Sequence, residues 1–391
     1  MNRKDAPSVG AISLYFLRLG TVGFGGPIAL ANAMRSDLVE KRRWLDEAEY
    51  AEGLAIASAC PGPLAYQLGI YVGLVLRGVP GALAAAVSFA LVPFLVAAGA
   101  AAAYVKFGAS GTVRALFYGI APVVLGLIVK ACLSLAKKTI GRDPRAVLLA
   151  VIAGAVTATS GKEPTLLLLL AGVLGAFAFA SRPVTVEGPP SPPPSGSEPP
   201  APPSVLATAF FGSITASPLG TLFLFFLKTG FLVFGSGLVI VPFLKASVVD
   251  RYHWLSEQAF LDSVAIGMIT PGPVVITATF VGYLLAGFPG ATAATLGIFA
   301  PPVLMTVVAT PLLRRFRANT RVRGFITGLT VAVIGVLLGT VFLVGRSAIS
   351  DPLTAAVAVV ALVVLIAFPK IPEPLLVLAG AVAGLLARGA G

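Results

Sequence analysis

The chain has 391 residues, of which 57% are hydrophobic and 11% are charged, too little charge to cover a water-soluble protein of that size. Its formal net charge of +12 does not mark a nucleic-acid binder, because there is no soluble basic domain to carry such a site. With two isolated cysteines, Cys60 and Cys132, and one histidine, His253, the sequence offers no thiolate or imidazole metal site and points to no cofactor.

Apolar stretches at 11–32, 82–105, 114–136, 146–161 and 165–180, then at 219–244, 290–312, 325–345, 352–368 and 374–387, approach the ~20 residues that cross ~30 Å of hydrocarbon. The reading is an all-α polytopic membrane protein, with the lipid bilayer as its environment and the plasma (cytoplasmic or inner) membrane as its expected location. The first stretch has a rival reading as a signal peptide, since "ALANA" (29–33) resembles a cleavage site. Arg18 interrupts it, however, and a copy of the segment recurs at 226–244, so the N-terminus is read as mature.

That recurrence extends along the chain. "FLRLGTVGFGGPIAL" (16–30) aligns with "FLKTGFLVFGSGLVI" (226–240), "EKRRWLDEAEY" (40–50) with "DRYHWLSEQAF" (250–260), and "CPGP" with "TPGP", all at an offset of 210; after one deletion "YVGLVLRGVPGA" (71–82) matches "FVGYLLAGFPGA" (280–291). The chain reads as two homologous membrane repeats, 1–181 and 205–391. They are joined by a Pro-, Gly- and Ser-rich tether at 182–204 that is expected to be a disordered spacer.

Within each repeat, Asp46 and Ser256 are N-cap residues, so helices are predicted to start at Glu47 and Glu257. From there to the Pro-Gly-Pro triplet is about 14 residues, or ~21 Å, and the segment after it is similarly short. Each arm is too short to span the bilayer and the two together are too long. The economical solution is a re-entrant hairpin with the triplet at its tip. Each half then has about five full spans plus this broken hairpin, an odd number that makes the halves inverted-topology repeats. The same topology puts the basic loops at 137–145 and 314–323 on one side, as cytoplasmic loops prefer.

Broken helices near mid-membrane in inverted repeats are a recurrent transporter architecture. Irregular backbone there must line an enclosed or water-filled cavity. The first segment of each half is also interrupted, at Phe24, Gly25, Gly26 and Pro27 and at Phe234, Gly235, Ser236 and Gly237. Together with Pro61, Gly62 and Pro63 and with Thr270, Pro271, Gly272 and Pro273, these make four interruptions expected to converge at the pseudo-two-fold axis. Pro63 and Pro273 suit the first position of a following helix, whose N–H groups favour an oxyanion, with Gln67 and Thr277 as neutral donors near the turn. Arg18 and Lys228 share a repeat position and are candidates for long-range attraction, with snorkelling to the nearer face as the plain alternative. Lys130 has no counterpart and is read as snorkelling or structural. Glu52 and Asp262 align with each other and are candidates for proton coupling, against the plainer reading as interfacial charges. Trp44 and Trp254 fit interfacial anchors.

The stretches "FGSGLVIVPFL", "WLSEQAFLDSVAIGMITPGPVVITATFVGYLLAGFPGA" and "FGGP…RRWLDEAEY…CPGP" resemble the chromate ion transporter family in its long form with two homologous halves. The resemblance covers nearly the whole chain outside the linker and the extreme termini. It implies membrane transport of chromate, in general efflux that confers chromate resistance, with sulfate as a related oxyanion. Two departures stand out. The family commonly has a histidine soon after the first Gly-Gly-Pro, where this chain has "IALANA", and Cys60 replaces a residue that is often Leu. If that histidine serves coupling or substrate choice, the first half differs in one of them.

Two other function classes are weighed against the oxyanion transporter. A membrane-embedded enzyme requires a nucleophile–base pair or a metal cluster at depth, which this sequence lacks. An anion channel built from the same breaks is compatible with it, as is a homodimer.

Overall fold

The computed structural model describes residues 6–24, 26–141, 143–160, 164–179, 217–235, 237–316, 319–368 and 371–388. Gly25, Ser236 and the linker at 182–204 lie outside them. The first half comprises α1 (Val9–Val22), α2 (Gly26–Arg35), α3 (Glu47–Ala59), a two-residue extended segment β1 (Gly62–Pro63), α4 (Leu64–Phe107), α5 (Gly111–Thr139), α6 (Pro144–Ser160) and α7 (Thr165–Ala178). The second comprises α8 (Pro218–Leu232), β2 (Phe234–Gly235), α9 (Ile240–Leu244), α10 (Glu257–Ile269), α11 (Thr277–Phe316), α12 (Thr320–Ala348), α13 (Pro352–Ala367) and α14 (Glu373–Arg388). Leu64–Phe107, Gly111–Lys137, Val274–Val308 and Thr320–Ala348 are long and apolar enough to cross a bilayer.

The helix starts fall where the caps put them. Asp46 makes a reciprocal capping box with Glu49, and the Ser256 hydroxyl accepts from the Ala259 N–H at 3.2 Å. After α3 the chain turns through the triplet and folds back on itself. The Tyr71 hydroxyl donates to Glu52 at 3.1 Å, and the Tyr71 ring fills the space beside Gly53. In one continuous helix, residues 52 and 71 would be separated by ~28 Å. α4 then reverses at Arg77–Gly78, and α11 does so at Ala286–Gly287. The two glycines have φ +65° and +61°, a conformation that costs a residue with a Cβ. Past each bend a long second arm crosses the molecule.

The interrupted first segment of each half is folded back as well. α1 enters, the chain breaks near Gly23, and α2 returns to the end where it entered. There Arg35 pairs with Glu47 at 2.8 Å and the Tyr15 ring lies 5.7 Å from that of Trp44. The second half repeats this with α8, a 3-10 turn at Gly237–Val239 and α9, and the Phe225 and Trp254 rings sit 5.7 Å apart. A short π-helical turn closes each of these hairpins, Ser36–Lys41 and Lys245–Arg251.

Inversion follows from one pair of equivalent helices. α5 and α12 match at an offset of 209, with Gly119 and Gly126 against Gly328 and Gly335. They pack antiparallel: Leu125 stands beside Gly345, and the Cys132 Sγ lies 3.6 Å from the Ile334 carbonyl oxygen. The end of α5 and the start of α12, and with them the two basic loops, therefore lie at one end of the molecule.

The helices divide into two packed bodies, each drawing on both halves. One joins α1 to α4, α8 to α11, and α4 to α11. The other is a six-helix bundle in which α5 packs on α12, α13 and α14 while α12 packs on α6 and α7. Glycines bring the bundle helices together, as where Gly119 meets Gly380 and Gly384, the small-residue packing that membrane helices use in place of a hydrophobic driving force.

Candidate functional site

The four interruptions meet crosswise. β1 pairs with β2 in parallel, Gly62 opposite Phe234 and Pro63 opposite Gly235. The Gly62 N–H donates to the Val233 carbonyl oxygen at 2.5 Å, and the Gly272 N–H donates to the Gly23 carbonyl oxygen at 2.9 Å. These two bonds are related by the repeat: each triplet tip of one half pairs with the first break of the other. Gly62 and Gly272 have φ +134° and +94°. Against them stand Pro302 and Pro93 respectively, each from the long arm of the opposite half. The crossing thus satisfies part of the backbone that the breaks expose, as a low-dielectric interior requires.

This geometry bears directly on the donors the site can offer. The N–H groups of Gly62 and Gly272 are occupied by the cross-repeat bonds. The first turns that follow Pro63 and Pro273 have no side-chain cap. Gln67 is buried beside this turn and donates its Nε2 to the Pro61 carbonyl oxygen, while its Oε1 has no partner. Thr277 and Thr270 turn their hydroxyls to their own helices, Thr277 to Val274 at 2.8 Å and Thr270 to Ile266 at 2.7 Å. Tyr66 backs the crossing, with its ring 4.6 Å from that of Phe299.

Gly23, Pro61, Gly62, Pro63, Gln67, Gly272 and Pro273 are brought together here, as are the backbones of Phe234 and Gly235. Phe24, Gly26 and Pro27 lie at the edge and are partly or fully exposed. Arg18 and Lys228 are exposed on α1 and α8; Arg18 shares its face with Leu14 and Val22, away from the crossing. Lys130 forms an ion pair with Glu373 of the other half at 3.3 Å.

The paired carboxylates differ sharply. Glu52 is half-buried and accepts from the Tyr71 hydroxyl of its own half. Asp262 is buried and accepts from the Tyr104 hydroxyl of the other half at 2.6 Å and from the Gln258 amide at 2.8 Å. Tyr104 and Asp262 floor a cavity of about 510 Å3 that opens at the end of the molecule away from the basic loops. Arg114, Tyr118 and Arg388 also line it. At its rim the Tyr118 hydroxyl, helped by the Thr354 N–H, holds the Asp351 carboxyl down at about 2, as hydrogen bonds to a carboxylate do.

Sequence reading passed over a further set of residues. Arg35 binds Glu40 and Glu47, and at the 210-residue offset Lys245 binds Asp250 and Glu257. The repeat itself carried the signal. Pro93, Pro302 and Tyr104 were equally visible only once the arms were in place.

No solved structure matches the chain. The chromate transporter family matches over residues 10–176 and again over 220–385, once per half. A chromate transport protein of Cupriavidus metallidurans is 42% identical over 374 residues, covering 96% of this chain and 92% of its own. A probable chromate transport protein of Synechococcus elongatus is 39% identical over 390 residues, covering 97% and 96%. An uncharacterized transporter of Bacillus subtilis is 32% identical over 166 residues, which is 42% of this chain but 84% of its own length, so a single repeat is nearly a whole protein there. With both repeats matched and their breaks crossing as described, the chain belongs to the chromate transporter family.

Proposed function

We propose that the chain is a secondary transporter carrying a tetrahedral oxyanion across the plasma membrane, chromate first and sulfate as its relative in shape and charge. The observation that carries the reading is the crosswise meeting of the four interruptions, in a chain whose nearly full-length relatives are called chromate transport proteins. Two outgoing arms begin at the crossing, from opposite directions, with uncapped first turns. A helix start offers N–H groups and a positive dipole end to an anion. Pro61 to Pro63 with Gln67, Thr270 to Pro273 with Thr277, and the breaks at Gly26–Pro27 and Gly237 would form the contacts. Arg18 and Lys228 would act only through long-range attraction.

Orientation is part of the proposal. Arg35, Lys41, Arg42, Arg43, Arg77, Lys137, Arg145, Arg321 and Arg323 belong to one end, against Lys106, Arg114, Lys245, Arg251, Arg346 and Arg388 at the other. The richer end is assigned to the cytoplasm. Asp262 is assigned the proton-coupling role in preference to Glu52, because it is buried between the two halves.

The test is uptake of radiolabelled chromate and sulfate into proteoliposomes under imposed pH gradients. Saturable flux with counter-transport supports the reading. Ohmic conductance indicates a channel instead, and absence of flux for both anions removes the substrate assignment.

A further inference from the structure

The two halves are alike in sequence and fold, yet they are not alike in what covers them. Leu238, Val239 and Pro242 of the second half are buried, while their equivalents Ile28, Ala29 and Asn32 of the first are exposed. Lys245 has 10% of its side chain exposed and Arg35 has 46%. The triplet hairpins show the same difference. Asp262 and Met268 are buried, Glu52 is half-buried and Ser58 is exposed.

At α9 and α10 the cause is the six-helix bundle. α10 packs on α5, α12 and α14, and α9 packs on α12, whereas α3 packs on α4, α11 and β2. Pro242 and Lys245 face Thr157, Thr340 and Leu343 of the bundle across a gap of only about 10 Å3. The bundle therefore docks on the hairpins of one half at one end, and among the described residues nothing takes the same place on the matching face of the other half at the basic end.

A bundle built from inverted repeats has two equivalent faces, and the hairpin body has two equivalent faces to meet them. Occupying one pair leaves the other open, the bistable arrangement from which alternating access is made. We propose that the hairpin body swings against the six-helix bundle as a unit, and that the structure is the state in which the crossing is approached from the basic end, since the cavity over Asp262 at the other end is lined by no residue of the crossing. In the opposite state the α2 face carrying Asn32 docks on α5 near Ala131 and Ser134, the counterparts of Thr340 and Leu343 at the 209-residue offset. The moving boundary thus runs between two bodies that each contain both halves, not between the halves. The exposed face beside Phe24, Ile28 and Asn32 is the route by which an anion from the basic end reaches the crossing. The purpose of the motion rests on the transporter reading; its existence does not.

The experiment uses two cysteine pairs in the full chain, whose native Cys60 and Cys132 are buried. Pro242→Cys with Leu343→Cys is expected to crosslink in the resting protein, to block transport, and to leave Asn32→Cys open to a membrane-impermeant thiol reagent. Asn32→Cys with Ser134→Cys is expected to crosslink only during turnover with chromate or sulfate, and the first crosslink is expected to prevent the second. The proposal is overturned if the second pair never crosslinks although a permeant maleimide labels each cysteine. Full transport by the protein crosslinked between 242 and 343 would overturn it equally. Mutually exclusive crosslinks that respond to neither anion would keep the motion and remove the substrate assignment.

Discussion

Arg35 and Lys245 stand 210 residues apart in sequence and make the same connection at opposite ends of the molecule. Each comes at the end of a returning hairpin arm and ties the π-helical turn that follows to the first turn of the next helix. Arg35 reaches Glu40 at 2.9 Å and Glu47 at 2.8 Å, and Lys245 reaches Asp250 at 2.8 Å and Glu257 at 2.7 Å. The first cluster is solvent-exposed throughout, whereas in the second Lys245 is covered by the bundle and its partners Asp250 and Glu257 stay exposed. The same contact therefore has two energetic weights. Removing one partner of a buried pair strands the other charges, whereas exposed pairs are screened. Asp250→Asn with Glu257→Gln, which leaves the covered Lys245 ammonium unpaired, is expected to destabilise the protein by on the order of 3 kcal/mol, and Glu40→Gln with Glu47→Gln to have little effect. Thermal unfolding of the purified variants in one detergent checks this; equal losses would contradict the asymmetry.

The glycine pairs separate strain from crowding. Gly78 and Gly287 have positive φ but open space around them. Ala there is expected to cost roughly 1–2 kcal/mol each and to leave transport rates near normal once the protein is folded. Gly62 and Gly272 combine positive φ with a proline ring at van der Waals range. Ala at either is expected to abolish transport, because the pairing of the breaks must part to admit the Cβ. Expression level and flux per folded molecule distinguish the two outcomes.

Pro271→Ala with Pro273→Ala is expected to impair transport more than expression. These rings hold the extended backbone that places the Gly272 N–H against Gly23, and without them α10 and the arm after it are free to join into one helix. Normal flux in the double variant would sink the helix-break mechanism.

Asp262 and Glu52 are predicted to differ in function as they do in setting. Asp262→Asn should uncouple anion flux from an imposed pH gradient while leaving exchange at equal pH, and Tyr104→Phe should weaken the same dependence. Glu52→Gln should do neither. Flux measured against pH on both sides checks the assignment, and an unchanged gradient response in Asp262→Asn would refute it.

Opposite ends for equivalent residues is a prediction that labelling can read. Lys41 and Arg251 are equivalent and exposed. Lys41→Cys should react with an impermeant thiol reagent only from the cytoplasmic side and Arg251→Cys only from the other. Labelling of both from one side would mean parallel halves.

The membrane class, the repeat, the helix starts at Asp46 and Ser256, and the triplet hairpins were legible in the sequence because each rests on local chemistry. Apolar length, cap residues and proline's missing N–H act within a few residues of one another. The basic loops also carried the inversion, which the antiparallel packing of α5 on α12 bears out; the first segment of each half, read from its length as a full span, is folded back instead. Four interruptions were visible, but not which pairs with which, since the Gly62–Val233 and Gly272–Gly23 bonds join residues far apart in the chain. Nor did the sequence show that those bonds would occupy the glycine donors. Least legible of all was the unequal covering of equal halves. Two repeat-related surfaces compete for one bundle that fills a single pair of faces at a time, so the difference in cover between Arg35 and Lys245 belongs to tertiary packing.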